Sequence, residues 1–329
     1  MTVDTWSVVQ ANIFSPVVLC FFLGCISTFV KSDLRIPDAI YSVLTIYLLF
    51  ALGLKGGVEL SYTSLSDIWK PSLATLILGI ITPLLAFTAA RHLGKLKVED
   101  SAALAAHYGS VSVVTFIAVQ SFLKNLEIGY EGFLSAQVVL LEVPAILIGL
   151  LLAQMAKIGN SDWTSIRGAM HEILSGKSIL LLIGGLLIGA LSGPGGYAKV
   201  EPFFGAPFQG VVALFLLEMG IVASRRFRDL RTVGGFVVLF GTLIPIINSI
   251  IGVTLGHWAG LSLGGTVVLG TLAASASYIA APAAVRLALP EANPGIYLTS
   301  ALTVTFPFNL VVGIPLYLKF AQFLKDILP

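Results

Sequence analysis

Asp67-Ile-Trp-Lys-Pro-Ser-Leu-Ala-Thr-Leu-Ile-Leu-Gly79-Ile-Ile-Thr-Pro83 and Asp229-Leu-Arg-Thr-Val-Gly-Gly-Phe-Val-Val-Leu-Phe-Gly241-Thr-Leu-Ile-Pro245 decide the reading of this chain. Aspartate, glycine and proline recur at the same internal spacing, 162 positions apart, and Gly94 meets Gly256 at that offset too. Glycine and proline are common in apolar helices, but four positions sharing one offset point to an internal repeat. After three residues of slippage, Gly109-Ser-Val-Ser112 stands opposite Ala274-Ser-Ala-Ser277. Further along, Leu134, Pro144 and Gly149 are answered by Leu298, Pro307 and Gly313, and upstream Ala-Leu-Gly53-Leu resembles Glu-Met-Gly220-Ile.

The composition says where such a repeat resides. Of 329 residues, 57% are hydrophobic and only 11% charged, against about 25% charged in soluble domains. So few charges cannot cover a water-soluble fold of this size. No basic block with interleaved aromatics suggests nucleic-acid binding. Cys20 and Cys25 share one apolar segment and read as small buried hydrophobes, with neither disulfide nor metal-ligand spacing. Met1–Asn12 carries Asp4 and no Lys or Arg; a cleavable signal needs a positive start, so the first apolar run is expected to be a true membrane helix.

Ten stretches are apolar over about the 20 residues that a membrane helix needs. They are Ile13–Val30, Ile36–Leu54, Pro71–Ala90, Ser101–Phe122, Gly132–Met155, Ser178–Gly195, Ala206–Ser224, Val233–Trp258, Ser262–Arg286 and Tyr297–Leu324. This predicts an all-α polytopic membrane protein with a first five-helix repeat (1–155), a connecting loop (156–177) and a second repeat (178–329). Trp163–Ser175 within the loop reads as a short interfacial helix. Five is odd, so the second copy enters the membrane from the opposite face, and inverted repeats of that kind are a signature of secondary transporters. Ten spans put both termini on one face with Lys55, Lys70, Lys124, Lys199, Lys319 and Lys325. The other thirteen of the 19 cations, Lys157, Arg228 and Arg231 among them, fall on the opposite face. The excess of cations marks the cytoplasmic side, so both termini are expected outside and the central loop in the cytoplasm.

The fourth and ninth spans are the least helix-like. His107-Tyr-Gly-Ser-Val-Ser-Val-Val-Thr115 and Ala273-Ala-Ser-Ala-Ser-Tyr-Ile-Ala-Ala-Pro282 pack small, hydroxylated and β-branched residues into the bilayer. Interrupted backbone is tolerated there only where it lines protein or a wet cavity. The freed N–H groups and positive dipole ends then make an anion site, with Ser110, Ser112, Thr115, Ser275 and Ser277 adding hydroxyls. The competing reading has these hydroxyls bonding back to helix carbonyls or sitting at close helix contacts. Glu142 and Glu218 are acids at depth, which by default suggests function; a protonated carboxyl packed between helices is the alternative. His107 is a candidate proton shuttle, and Asn248, Asn309 and Gln137 read as interhelical glue. No HExxH, GxSxG or P-loop is present, so no enzyme or ATP-driven pump is indicated and transport would run on ion gradients.

Gly53-Leu-Lys-Gly-Gly57, Gly109-Ser-Val-Ser112, Glu142-Val-Pro-Ala145, Ala273-Ala-Ser-Ala-Ser277 and Ala292-Asn-Pro294, taken in order, resemble the sodium-dependent bicarbonate transporters best known from cyanobacteria, over about Ile36 to Gln322. The resemblance implies a ten-helix inverted-repeat fold with interrupted fourth and ninth helices, a core (transport) and a gate (scaffold) domain, and a homotrimer among the lipids of the bacterial inner membrane. It implies elevator-like, sodium-driven bicarbonate uptake without a cofactor, sodium being cargo. Carried over, the anion lies against Gly109, Ser110, Ser112 and Thr115 on one side and Ser275 and Ser277 on the other. Glu142, Ser277, Tyr278 and His107 are the candidates for coupling the ion. The chain departs from the family where Ser-Ser-Ser-Asp-Ile-Ser-Gly-Pro-Pro becomes Ser275-Ala-Ser-Tyr278-Ile-Ala-Ala-Pro-Ala283, and where Gly-Ser-Thr becomes Val113-Val-Thr115. The central loop is also much shorter, so the small regulatory cytoplasmic partner of cyanobacterial members is not expected. Two other functions stay open: proton- or sodium-coupled transport of a small organic anion, and a non-transporting membrane sensor.

Overall fold

The structure, a computed structural model, describes residues 13–156, 167, 168, 171, 174–227, 229, 230 and 234–328. Met1–Asn12, most of the expected interfacial helix at Trp163–Ser175, and Lys157, Arg228 and Arg231 lie outside the described residues. Helix accounts for 82% of the structure, and the described residues contain no strand. We number the helices α1 (Pro16–Phe29), α2 (Asp38–Tyr62), α3 (Leu65–Leu93), α4 (Val98–Gly109), α5 (Val113–Asn125), α6 (Leu134–Ala156), α7 (Lys177–Tyr197), α8 (Phe208–Arg225), α9 (Gly235–Trp258), α10 (Leu263–Ala274), α11 (Ala281–Ala288) and α12 (Pro294–Ile327). A single turn, Glu201–Phe204, precedes α8.

Eight segments are long and apolar enough to cross a membrane, with α4–α5 taken as one segment and α8 with its preceding turn. The first and ninth expected spans correspond to the shorter apolar helices α1 and α10. Local chemistry sets many of the ends. Ser15 accepts a bond from Val18 N at 3.3 Å with Pro16 at the first helical position, and Asn293 accepts from Gly295 N at 2.9 Å ahead of Pro294; both are favourable helix starts. The second span runs eight residues past its expected end at Leu54, through Lys55 and Glu59 to Tyr62. In α12, Pro307 is flanked by π-helical turns at Thr299–Thr305 and Asn309–Gly313. A proline has no N–H and crowds the carbonyl four residues back, and a widened turn absorbs both.

Glycines bring two helix pairs into close contact. A Cβ on Gly57 of α2 would overlap the Leu186 carbonyl oxygen of α7, and one on Gly189 would overlap Leu54 O. The same holds where α1 meets α8: Gly24 faces Leu217 O, and Gly220 faces Phe21 O. In each pair, either glycine lies against the carbonyl three residues before the other, as small residues permit. Gly53 and Gly185 repeat the pattern one turn away, with Gly53 against Leu182 O and Gly185 against Phe50 O, though less closely than Gly57 and Gly189. The remaining helices pack as a second group, α3 and α6 against α4, and α9 and α12 against α10. At its centre α4–α5 is buried throughout, whereas the other long helices leave about a third or more of their apolar stretch uncovered.

Two polar latches close this second group at opposite ends. Glu131, ahead of α6, accepts Ser262 N at 2.6 Å and Ser262 Oγ at 3.1 Å. Asp100, in the first turn of α4, accepts Asn293 N at 2.7 Å. Each latch ties a segment from before the central loop to one from after it, at the start of α10 and of α12. Asp100 and Ser262, and Glu131 and Asn293, are each 162 positions apart, the offset noted in the sequence.

Candidate functional site

α4 stops at Gly109 and α5 begins at Val113, so Ser110, Val111 and Ser112 cross the protein interior outside both helices. A Cβ on Gly109 would stand 2.7 Å from Pro83 Cβ, so this end of α4 is held tight against α3. Across from it, α10 stops at Ala274 and α11 begins at Ala281. Ser110, Ser112 and Ser275 all have extended backbone.

The two breaks are bonded to each other. Ser112 N donates to Ser275 Oγ at 2.9 Å, and Ser277 N donates to the His107 carbonyl at 2.8 Å. Ser275 Oγ also donates to Leu272 O at 2.8 Å. Ser112 caps α5 by accepting Thr115 N at 3.1 Å, and Ser277 Oγ accepts Ala281 N at 3.2 Å at the start of α11. Capping by Ser112 leaves the N–H groups of Val113 and Val114 as donors at the positive end of α5. Asn309 Nδ2 holds Ala274 O at 2.9 Å and is itself fixed by Tyr317 OH at 2.6 Å. Tyr108 OH bridges Ser300 Oγ and Thr305 Oγ1, each at 2.6 Å, tying α4 to α12.

The arrangement is not symmetric. Ser275 Oγ is engaged, while its counterpart Ser110 Oγ is buried with no partner. Ser110, Ser112, Ser275 and Ser277 are at most 4% exposed, so bulk water does not satisfy that hydroxyl. The Tyr278 hydroxyl also lacks a hydrogen-bond partner, with Ser112 among its polar neighbours; its ring meets Phe306 edge-on at 5.6 Å. His107 has Nδ1 2.7 Å from Ala103 O and its ring 4.6 Å from that of Tyr297, leaving Nε2 buried and unpaired.

The structure thus brings together Gly109, Ser110, Ser112, Thr115, Ser275 and Ser277, with His107 and Tyr278 at their edge. Glu142 is different. It is buried on α6, its Oε2 is unpaired, and no bond joins it to the crossing among the described residues. Glu218 accepts Ile36 N at 3.4 Å and so anchors the entry to α2. Asn309 and Gln137, the latter donating to Ser72 Oγ at 3.3 Å, hold helices together as expected. Asn248 does not: neither atom of its buried amide has a partner. Sequence reasoning missed the Tyr108–Ser300–Thr305 bridge and the role of the His107 carbonyl, because neither follows a local motif. No group of three or more His, Cys, Asp or Glu able to hold a metal occurs among the described residues. The oxygens available to a cation here are hydroxyls and carbonyls.

Among known proteins, the family described as the Na+-dependent bicarbonate transporter superfamily matches residues 16–322. Comparison with curated proteins gives no match.

Proposed function

The chain belongs to the Na+-dependent bicarbonate transporter superfamily, and from that premise we propose that it carries bicarbonate inward with sodium, bound where α4–α5 and α10–α11 break. The observation that carries this reading is the crossing itself. Two interrupted helices meet in a dry interior, one presenting free backbone N–H groups and both their positive ends, beside an unpartnered serine hydroxyl. Such a site favours a small anion without a fixed positive side chain, which would bind too tightly to release. Ser110 Oγ and the N–H groups of Val113 and Val114 are its donors. Gly109, Ser112, Thr115, Ser275 and Ser277 shape the backbone around it.

Sodium enters this reading as cargo, bound by hydroxyl and carbonyl oxygens at the breaks, with Ser277, Tyr278 and His107 at hand and Glu142 as the buried acid that balances charge. The reading includes ten spans in an inverted repeat, supported by the latches and the glycine pairs. Residues 1–155 and 178–329 are the two copies. The α1, α2, α7 and α8 group is the gate, and the remaining helices are the core, moving elevator-like in a homotrimer of the bacterial inner membrane. The distribution of Lys and Arg supports termini outside and a cytoplasmic central loop.

Purified protein in liposomes should accumulate labelled bicarbonate only with an inward sodium gradient. Equal flux without sodium removes the coupling, and no flux removes the cargo. One observation favours a second cargo: Val113, Val114, Tyr278 and Phe306 give the crossing an apolar wall suited to a small organic anion. Uptake of such an anion that ignores sodium and collapses with a proton uncoupler would select it.

A further inference from the structure

A cavity of about 390 Å³ opens between α2, α5 and the turn before α8. The part of α2 beyond its expected end contributes to the cavity wall. Lys55 is exposed while Leu54, Gly56 and Gly57 around it are buried, so the helix remains packed on one side and turns one cation into the cavity. Lys124 brings a second from the last turn of α5. Among the described residues neither ammonium is held in an ion pair. Gln120 and Gln209 add amides, the latter tied to Ser121 Oγ at 3.1 Å. Tyr130 adds a phenol that burial and the Glu59 carboxylate push up to about 12, so it remains a neutral donor. Opposing charge comes from exposed Glu201 on the rim, and from Glu59 in the adjoining cavity that shares Lys55.

The location matters as much as the chemistry. Gln120 is five residues beyond Thr115 on α5, about 7.5 Å of helical rise, so one helix runs from the cavity floor to the crossing. We infer that this cavity is the outer vestibule in which small monovalent anions are gathered before reaching the crossing, with Lys55 and Lys124 as the attracting charges. "Outer" and the onward step rest on the transport reading above; the anion-attracting character does not. Lys55 and Lys124 line the cavity itself, with Glu201 on its rim and Glu59 set back in the adjoining one, so an anion is attracted locally without being trapped.

The test uses the full-length chain in liposomes with Cys20 and Cys25 replaced by serine and Gln120→Cys as reporter. Its reaction rates with an anionic (sulfonatoethyl) and a cationic (trimethylammonioethyl) methanethiosulfonate are each normalised to a free thiol. Their ratio cancels the thiolate fraction and reads the local potential. We expect the anionic reagent to be favoured by about tenfold at low ionic strength, falling towards parity in salt and in the Lys55→Gln/Lys124→Gln variant. Lys55→Arg/Lys124→Arg should keep the preference. Ala206→Cys, exposed on the same cavity, is a second reporter if Gln120→Cys does not fold. A ratio at or below parity, a ratio unmoved by neutralising both lysines, or reporters inert to both reagents would each overturn the inference. Bicarbonate should slow the anionic reagent. An anionic preference that another small anion relieves and bicarbonate does not leaves the vestibule standing and removes the cargo.

Discussion

Ser275→Ala and Ser110→Ala remove the same atom from two counterpart positions, yet the structure assigns them opposite consequences. Ser275 Oγ is the acceptor for Ser112 N at 2.9 Å. Without it a backbone N–H at a site 4% exposed is left unsatisfied, which costs about 1–3 kcal/mol. The bond from Ser275 Oγ to Leu272 O is a smaller loss, since Ser275 N still donates to that carbonyl at 3.1 Å. Ser110 Oγ has no partner to lose, and removing a buried, unsatisfied hydroxyl is close to neutral for folding. If that hydroxyl instead meets the anion, Ser110→Ala loses a hydrogen bond to a charged group, about 1.5–3 kcal/mol, or roughly 10–150-fold in KM. The assay pairs unfolding in detergent with uptake kinetics in liposomes. We expect Ser275→Ala to be less stable than Ser110→Ala by about 1–3 kcal/mol, and Ser110→Ala to be as stable as the unaltered protein with a raised KM. Equal stabilities would refute the assigned bond between the breaks, and an unchanged KM in Ser110→Ala would refute its part in the site.

Gly57→Leu and Gly24→Leu each place side chain against a neighbouring carbonyl and should abolish monodisperse protein on size exclusion, whereas Gly184→Ala, with open space around it, should change nothing. Asp100→Ala strands Asn293 N and should cost about 1–3 kcal/mol in detergent unfolding; Asp100→Asn, which keeps an acceptor, should cost less than half of that loss. Tyr278→Phe removes a hydroxyl without a hydrogen-bond partner, so stability should hold while the sodium concentration for half-maximal uptake rises several-fold. An unchanged sodium response there excludes the phenol from coupling.

The all-helical, many-span character was legible from the long apolar stretches and scarce charge, because a bilayer demands that backbone polar groups be satisfied within each segment. The breaks were legible as well, since clusters such as Gly109-Ser-Val-Ser112 have poor reason to remain helical. What escaped the sequence depends on which side of a helix faces water or protein. Lys55 looked like the start of a loop and is instead a polar face on a continuing helix. Glu142 and Glu218 looked alike, but one is unpaired and the other holds Ile36 N. Gly220 resembles Gly53 in its local sequence, but how closely each glycine meets a facing carbonyl, tighter at Gly57 and Gly220 than at Gly53, is set by packing alone. Likewise Ser110 and Ser275 are equivalent in sequence, and their difference exists only once Ser112 N has chosen between them.

One small anion is proposed to sit between the two breaks. The measurement that tests this most directly is a high-resolution structure of the protein in lipid with bicarbonate and sodium present, compared with one in chloride alone. Bicarbonate-dependent density is expected within hydrogen-bond reach of Ser110 Oγ and the N–H groups of Val113 and Val114. Density confined to another place, or a crossing identical in both conditions, would contradict it.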